Sequence, residues 1–118
     1  MRVTSELFVA ALVRRANDAG AFAVVARRGA AEAGAIHVVV DDRSGSCALY
    51  GPAMAGFGAD ADRHHDERRL VLVGRMTASE LAQRFAAEAR FDPDYWLVEI
   101  DDREGRHFLD DALIVDDG

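Results

Sequence analysis

Asp60, Asp62, His64 and Asp66 alternate along one stretch, so an extended backbone would set all four on one side. Carboxylates mixed with an imidazole suit zinc, manganese or a similar ion. A calcium loop is excluded, because His65 stands at the glycine position and Val71 at the bidentate glutamate position. His65 would point away from the other four. Against a metal site stands the entropy that a polar loop loses on coordinating an ion; solvated loop polarity is the plainer account.

A second constellation lies near the carboxyl terminus. A three-residue loop at 103–105 would pair Asp102 with Arg106 and Asp101 with His107. A carboxylate opposite an imidazole is the base-orienting half of a catalytic pair. No nucleophile accompanies it: the hydroxyl side chains sit at helix caps, first turns or the turn of the first hairpin, and Cys47 falls mid-strand with nothing to lower its pKa. A cross-strand ion pair explains the same residues.

The third is the turn Gly29-Ala-Ala-Glu-Ala-Gly34, which has the glycine spacing of a phosphate loop. Ala35 and Ile36 replace the lysine and hydroxyl that such a loop needs, so nucleotide binding is rejected. A weaker form survives, in which Arg27, Arg28 and the turn amides between Gly29 and Gly34 hold an anion. Its alternative is a tight structural turn flanked by solvated arginines. Phe91, Pro93, Tyr95 and Trp96 form an aromatic group fit for a partner surface or for core closure. Core closure fits better, because Trp96 alternates with Val98 and Ile100.

The elements that would position these groups follow from period and punctuation. Thr4 or Ser5 can cap a helix running to Gly20, although its nearly all-round apolarity also suits a strand. Residues 21–28 read as a buried strand. Ile36, Val38 and Val40 alternate in the next, and Arg43-Ser44-Gly45 turns it into a hairpin with 47–50. Residues 53–66 read as a long mobile loop, followed by a strand at 69–76. Thr77-Ala-Ser-Glu80 is a capping box opening a second helix that Asp92-Pro93 ends. Residues 95–100 and 106–109 would form a last hairpin. Asp-Asp-Arg-x-Gly recurs at 41–45 and 101–105, which shared turn chemistry explains without an internal repeat.

These 118 residues carry a net charge of −7, and all 14 basic residues are arginine. Such a balance opposes non-specific binding to nucleic acid or anionic lipid. The absence of lysine beside much Ala, Gly, Asp and Val points to a GC-rich genome, not to selection for guanidinium chemistry. One cysteine excludes an intramolecular disulfide and a cysteine-rich zinc site, and no segment is long enough to span a bilayer. The cytoplasm is the expected location.

Ser5-Glu6-Leu7-Phe8-Val9, Arg27-Arg28-Gly29, Glu32 to Ile36, Leu49-Tyr50-Gly51-Pro52, Arg90 to Ile100 and Gly105 to Asp110 together resemble a family of short bacterial proteins known as a domain of unknown function. The resemblance runs nearly end to end, except at 53–66. It implies a small cytoplasmic bacterial protein and brings no activity, cofactor or partner.

The expected architecture is a single α+β domain over 1–118, ordered α-β-β-β-β-α-β-β. It would have an antiparallel sheet of about five to six strands with two helices on one face. The expected function is a non-enzymatic binding module, without cofactor, for a protein, a peptide or a small anionic ligand. The alternatives are a small hydrolase or metal-dependent enzyme using His107 and Asp101 or the 60–66 loop, and a nucleic-acid binder using Arg14, Arg15, Arg27 and Arg28.

Overall fold

The computed structural model describes residues 4–53, 69–91 and 93–112. Thr4 caps the first helix, α1 (Ser5–Asp18), its Oγ1 accepting the Leu7 amide. Val9, Leu12 and Ala16 recur at helical spacing and are buried, which resolves the strand alternative in favour of an amphipathic helix. Strands β1 (Phe22–Arg27), β2 (Ala35–Asp41), β3 (Cys47–Pro52) and β4 (Leu70–Met76) follow. Helix α2 (Ala78–Phe91) then leads to β5 (Tyr95–Asp101). The capping box forms as read: the Glu80 amide donates to Thr77 Oγ1 at 3.2 Å, and the Thr77 amide to Glu80 Oε1 at 2.8 Å.

The five strands make one mixed sheet in the order β1-β5-β2-β3-β4. The α+β class holds, with three corrections. First, the sheet is not antiparallel throughout: β5 inserts between β1 and β2 and pairs parallel to β2. The physical reason is the crossover. Strands β2, β3 and β4 alternate in direction, so β4 runs with β2; α2 carries the chain back across the sheet, and β5 starts again in that direction.

Second, the helices lie on opposite faces. Even-numbered Ile36, Val38, Val40, Trp96, Val98 and Ile100 pack with α1. Odd-numbered Val39 and Leu49 pack with Leu81 of α2, joined by Leu97 and Phe85. Side chains alternate across a strand, so these are the two sides of the sheet. The even side was already covered by α1 and by Leu109 of the carboxyl-terminal segment.

Third, residues 106–109 form no strand. Phe108 and Asp110 take positive φ (60° and 50°), which breaks the extended run, and a 3-10 turn follows at Asp110–Ala112. This segment folds back over the α1 side, where Arg15 donates from Nε and Nη2 to the Phe108 carbonyl.

Strand β1 differs from its sequence reading as well. It is an edge strand, and only Ala23 is buried; Phe22 is 66% exposed. The Asn17 side chain clasps that edge, its Oδ1 accepting the Ala23 amide and its Nδ2 donating to the Ala23 carbonyl.

Candidate functional site

The turn between β1 and β2 is held by its own protein. Its carbonyls at Ala31 and Glu32 accept the Glu6 and Ser5 amides that open α1. The buried Ser5 hydroxyl donates to the Gly34 carbonyl at 2.7 Å, and the Ala30 amide donates to Asp94 Oδ1. The Trp96 indole donates to the Ala30 carbonyl at 2.8 Å. A Cβ on Gly29 would stand 2.8 Å from the Tyr95 backbone, and one on Gly34 would stand 2.9 Å from the Ala30 nitrogen. Both glycines are therefore set by close approach.

Arg27 and Arg28 are committed to the same construction. Arg27 donates to the Pro93 carbonyl and lies over the Tyr95 ring, 4.4 Å from its centre. Arg28 pairs with Glu6 at 2.7 Å and lies over Trp96. The other two arginines of the nucleic-acid reading are also engaged, Arg14 with Asp18 and Arg15 with the Phe108 carbonyl and Asp110.

Asp101 and His107 are not brought together. Asp101 accepts from Arg43 at 3.0 Å on the α2 side of the sheet. His107 sits against Tyr50 of the α1-side core, and its Nδ1 accepts the Leu109 amide. Burial holds the His107 imidazole below its ordinary pKa, with Asp110 opposing weakly. Asp102 is buried and carries a fork from Arg106, whose hydrogen bonds hold its carboxyl below the usual range. The pair shapes the end of β5, since Asp102 also accepts the Arg106 amide. Asp60, Asp62, His64 and Asp66 lie outside the described residues. Among the described residues no group of three His, Cys, Asp or Glu side chains is placed to hold a metal ion.

Among the described residues an opening lies on the α2 side. Leu81 and Phe85 are the large apolar residues of α2 before its last position, and they cluster with Val39, Leu49, Cys47, Met76 and Leu97. The Phe85 ring stacks on Tyr95, and His37 stands edge-on to both while facing Glu88 at 3.8 Å. That aromatic cluster anchors the late turns of α2. Beyond the helix's flank a trough of about 550 Å3 opens toward β1. Phe22, Val24, Val39 and Leu97 line its floor, and Ala78, Leu81, Ala82 and Phe85 its wall. Its size falls within the range of small-molecule and peptide sites, and its lining is mainly apolar.

Asp41, Glu99 and Asp101 also border the trough. The register sets them on one face: Val24, Glu99 and Val39 lie abreast, as do Phe22, Asp101 and Asp41. Cys47 stands in the same lining. Burial first, then Asp41, push its thiol upward, so it stays protonated and is a poor nucleophile.

Sequence reasoning did not assemble this trough. The available signals were an all-apolar Phe22-Ala23-Val24-Val25 and a second helix with too few large apolar residues to cover a sheet face. Only the strand order brings the two beside each other.

The family model described as "Protein of unknown function (DUF1491)" matches residues 3–110. The chain is similar to a DUF1491 family protein from Caulobacter crescentus CB15, known from a crystal structure at 1.87 Å. The two are 41% identical, the match covers 98% of this chain and 100% of that one, and the TM-score is 0.73. An NMR structure of a DUF1491 family protein from the same organism matches at 42% identity, 98% and 99% coverage and TM-score 0.76. The solution structure of protein Atu0922 from A. tumefaciens matches at 45% identity, 86% coverage of each chain and TM-score 0.72. No curated protein matches.

Proposed function

This chain belongs to the DUF1491 family, and we propose that it is a non-enzymatic binding module whose working surface is the trough between α2 and strands β1, β5 and β2. One observation carries this: among the described residues the α2 side of the sheet is covered over β3 and β2 but open over β1, with Phe22 two-thirds exposed at its margin. A contiguous apolar patch rimmed by polar residues is the usual mark of an interaction surface. The occupant is a segment of another protein bearing apolar side chains. The anion reading of the 27–34 turn ranks below this, because Arg27, Arg28 and the Ala30 amide already have partners within the protein. The catalytic reading has lost its pair, since Asp101 and His107 face different sides. A reducing, cytoplasmic setting belongs to the same proposal, as Cys47 is a free thiol; among the described residues no helix is long and apolar enough to cross a membrane.

Cys47 supplies the readout. A neutral amphipathic peptide of leucine and glutamine seated in the trough slows alkylation of the thiol by a small maleimide, and Phe22→Ser abolishes the protection. Unchanged alkylation at high peptide concentration, with resonances of Phe22, Val39 and Leu97 unmoved, would remove the trough from consideration.

A further inference from the structure

The open part of the trough has the place and the lining of a missing helix. On the α2 side one helix packs over β2 and β3 and reaches the partly buried Leu97 of β5, and the next position across the sheet, over β1, carries the exposed Val24 and Phe22 with nothing above them among the described residues. The flank of α2 that borders this position presents Ala78 and Ala82, one turn apart, so a neighbouring helix can approach closely. A strand is a poorer occupant, because the Asn17 side chain already holds the Ala23 amide and carbonyl on the free edge of β1.

The charges narrow the occupant further. Asp41, Glu99 and Asp101 all border the trough; Arg43 pairs with Asp101 and its amide donates to Asp41, which leaves Glu99 as the carboxylate that Arg43 does not serve. The Glu99 carboxylate stands between Val24 and Val39 with no side-chain hydrogen bond or ion pair among the described residues. A second copy would bring a net charge of −7 against these carboxylates. Resting on the proposed function, we infer that the trough takes an amphipathic helix of a partner protein, its apolar ridge seated on Phe22, Val24 and Leu97 and an arginine or lysine facing Glu99.

Three peptides of equal length and identical leucine pattern, with lysine, glutamine or glutamate at the polar positions, test this on the isotope-labelled full chain. The lysine peptide is expected to become helical on binding and to bind about tenfold more tightly than the glutamine peptide, with the glutamate peptide weakest. The advantage should fade as salt rises. Glu99→Gln should narrow the gap between the lysine and glutamine peptides. If all three peptides move the trough resonances with equal affinity, or if Glu99→Gln leaves the lysine advantage intact, the charge assignment is overturned and the trough itself stands. A bound peptide with strand contacts to β1 overturns the helical occupant. If sedimentation shows self-association that Phe22→Ser abolishes, the occupant is a second copy and the inference fails. If no peptide moves the trough, the inference falls together with the reading beneath it.

Discussion

The two faces of the sheet are built from the same five strands and are finished very differently. On the α1 side a helix and the carboxyl-terminal segment close over Trp96, Val98, Ile100, Val38 and Val40, all essentially excluded from water. On the other side α2 reaches Val39 and Leu97 and stops short of β1. The first face uses its apolar surface for stability, each fully buried side chain contributing about 1.5–3 kcal/mol. The second leaves comparable side chains in contact with solvent. A small domain can do this because its stability is concentrated on one side.

The contrast can be broken by substitution. The largest effect is expected at Trp96, 1% exposed and hydrogen-bonded through its indole to Ala30. Trp96→Ala should cost about 3–5 kcal/mol in chemical denaturation. A loss near zero would mean that the α1 side is not the stabilising one. Gly29→Ala comes next: its Cβ would meet the Tyr95 backbone, which has no flexible end to yield, and overpacking of this kind costs about 1–3 kcal/mol. A midpoint equal to the parent's would show that the turn can move away from Trp96.

Smaller changes sharpen the comparison. Thr77→Ala removes the cap that starts α2 and should cost about 1 kcal/mol, whereas Ser79→Ala, inside the first turn, should cost less than about 0.5 kcal/mol. Equal midpoints would place the start of the helix elsewhere.

Acid should act mainly through the α1 side. The His107 pKa is depressed by burial, so its contribution is fully present above the unfolded value of about 6.5 and is lost as pH falls through the folded value. Protonation would also displace the Leu109 amide from Nδ1. The Asp102 contribution, set by the Arg106 hydrogen bonds, is present above about pH 4 and lost in stronger acid. Stability measured against pH should thus decline in two stages on acidification, and His107→Phe should remove the upper one. Persistence of that upper stage in the variant would assign it to another group.

Least of all should happen to stability at the trough margin. Phe22→Ser is expected to shift the denaturation midpoint by no more than about 0.5 kcal/mol, as for ordinary surface positions. A loss of several times that amount would reveal Phe22 as core, and the two faces would then be less different than they look.

Local chemistry was legible in the sequence wherever one segment determined the outcome. The Thr77–Glu80 box, the Arg43-Ser44-Gly45 hairpin loop and the burial of Trp96 all form as their residues indicate. What could not be read was anything set by which strands become neighbours. Phe22 to Val25 is apolar enough for a central strand, yet β5 takes the inner place and leaves β1 at the edge. Asp101 and His107 fit a hairpin register, but the Arg106 fork onto Asp102 turns the chain before that register can form. The trough needed both the strand order and the side on which α2 lands, and neither is encoded in a local pattern. The Arg27–Gly34 turn stands out in the sequence by its glycines and arginines; what selects them is the fit of Trp96 and Tyr95 against them.

The Asn17 clasp on Ala23 bears on how the protein survives at high concentration. An edge strand reading Phe-Ala-Val-Val is the kind of segment that recruits identical segments from other molecules into fibrils, one backbone hydrogen bond after another. Growth of such a fibril must begin on an unoccupied edge. Here a side-chain amide from the end of α1 already occupies the Ala23 donor and acceptor, imitating a neighbouring strand one residue long and offering no further edge to extend. The clasp thus closes the edge to a pairing strand at Ala23, beside the exposed Phe22.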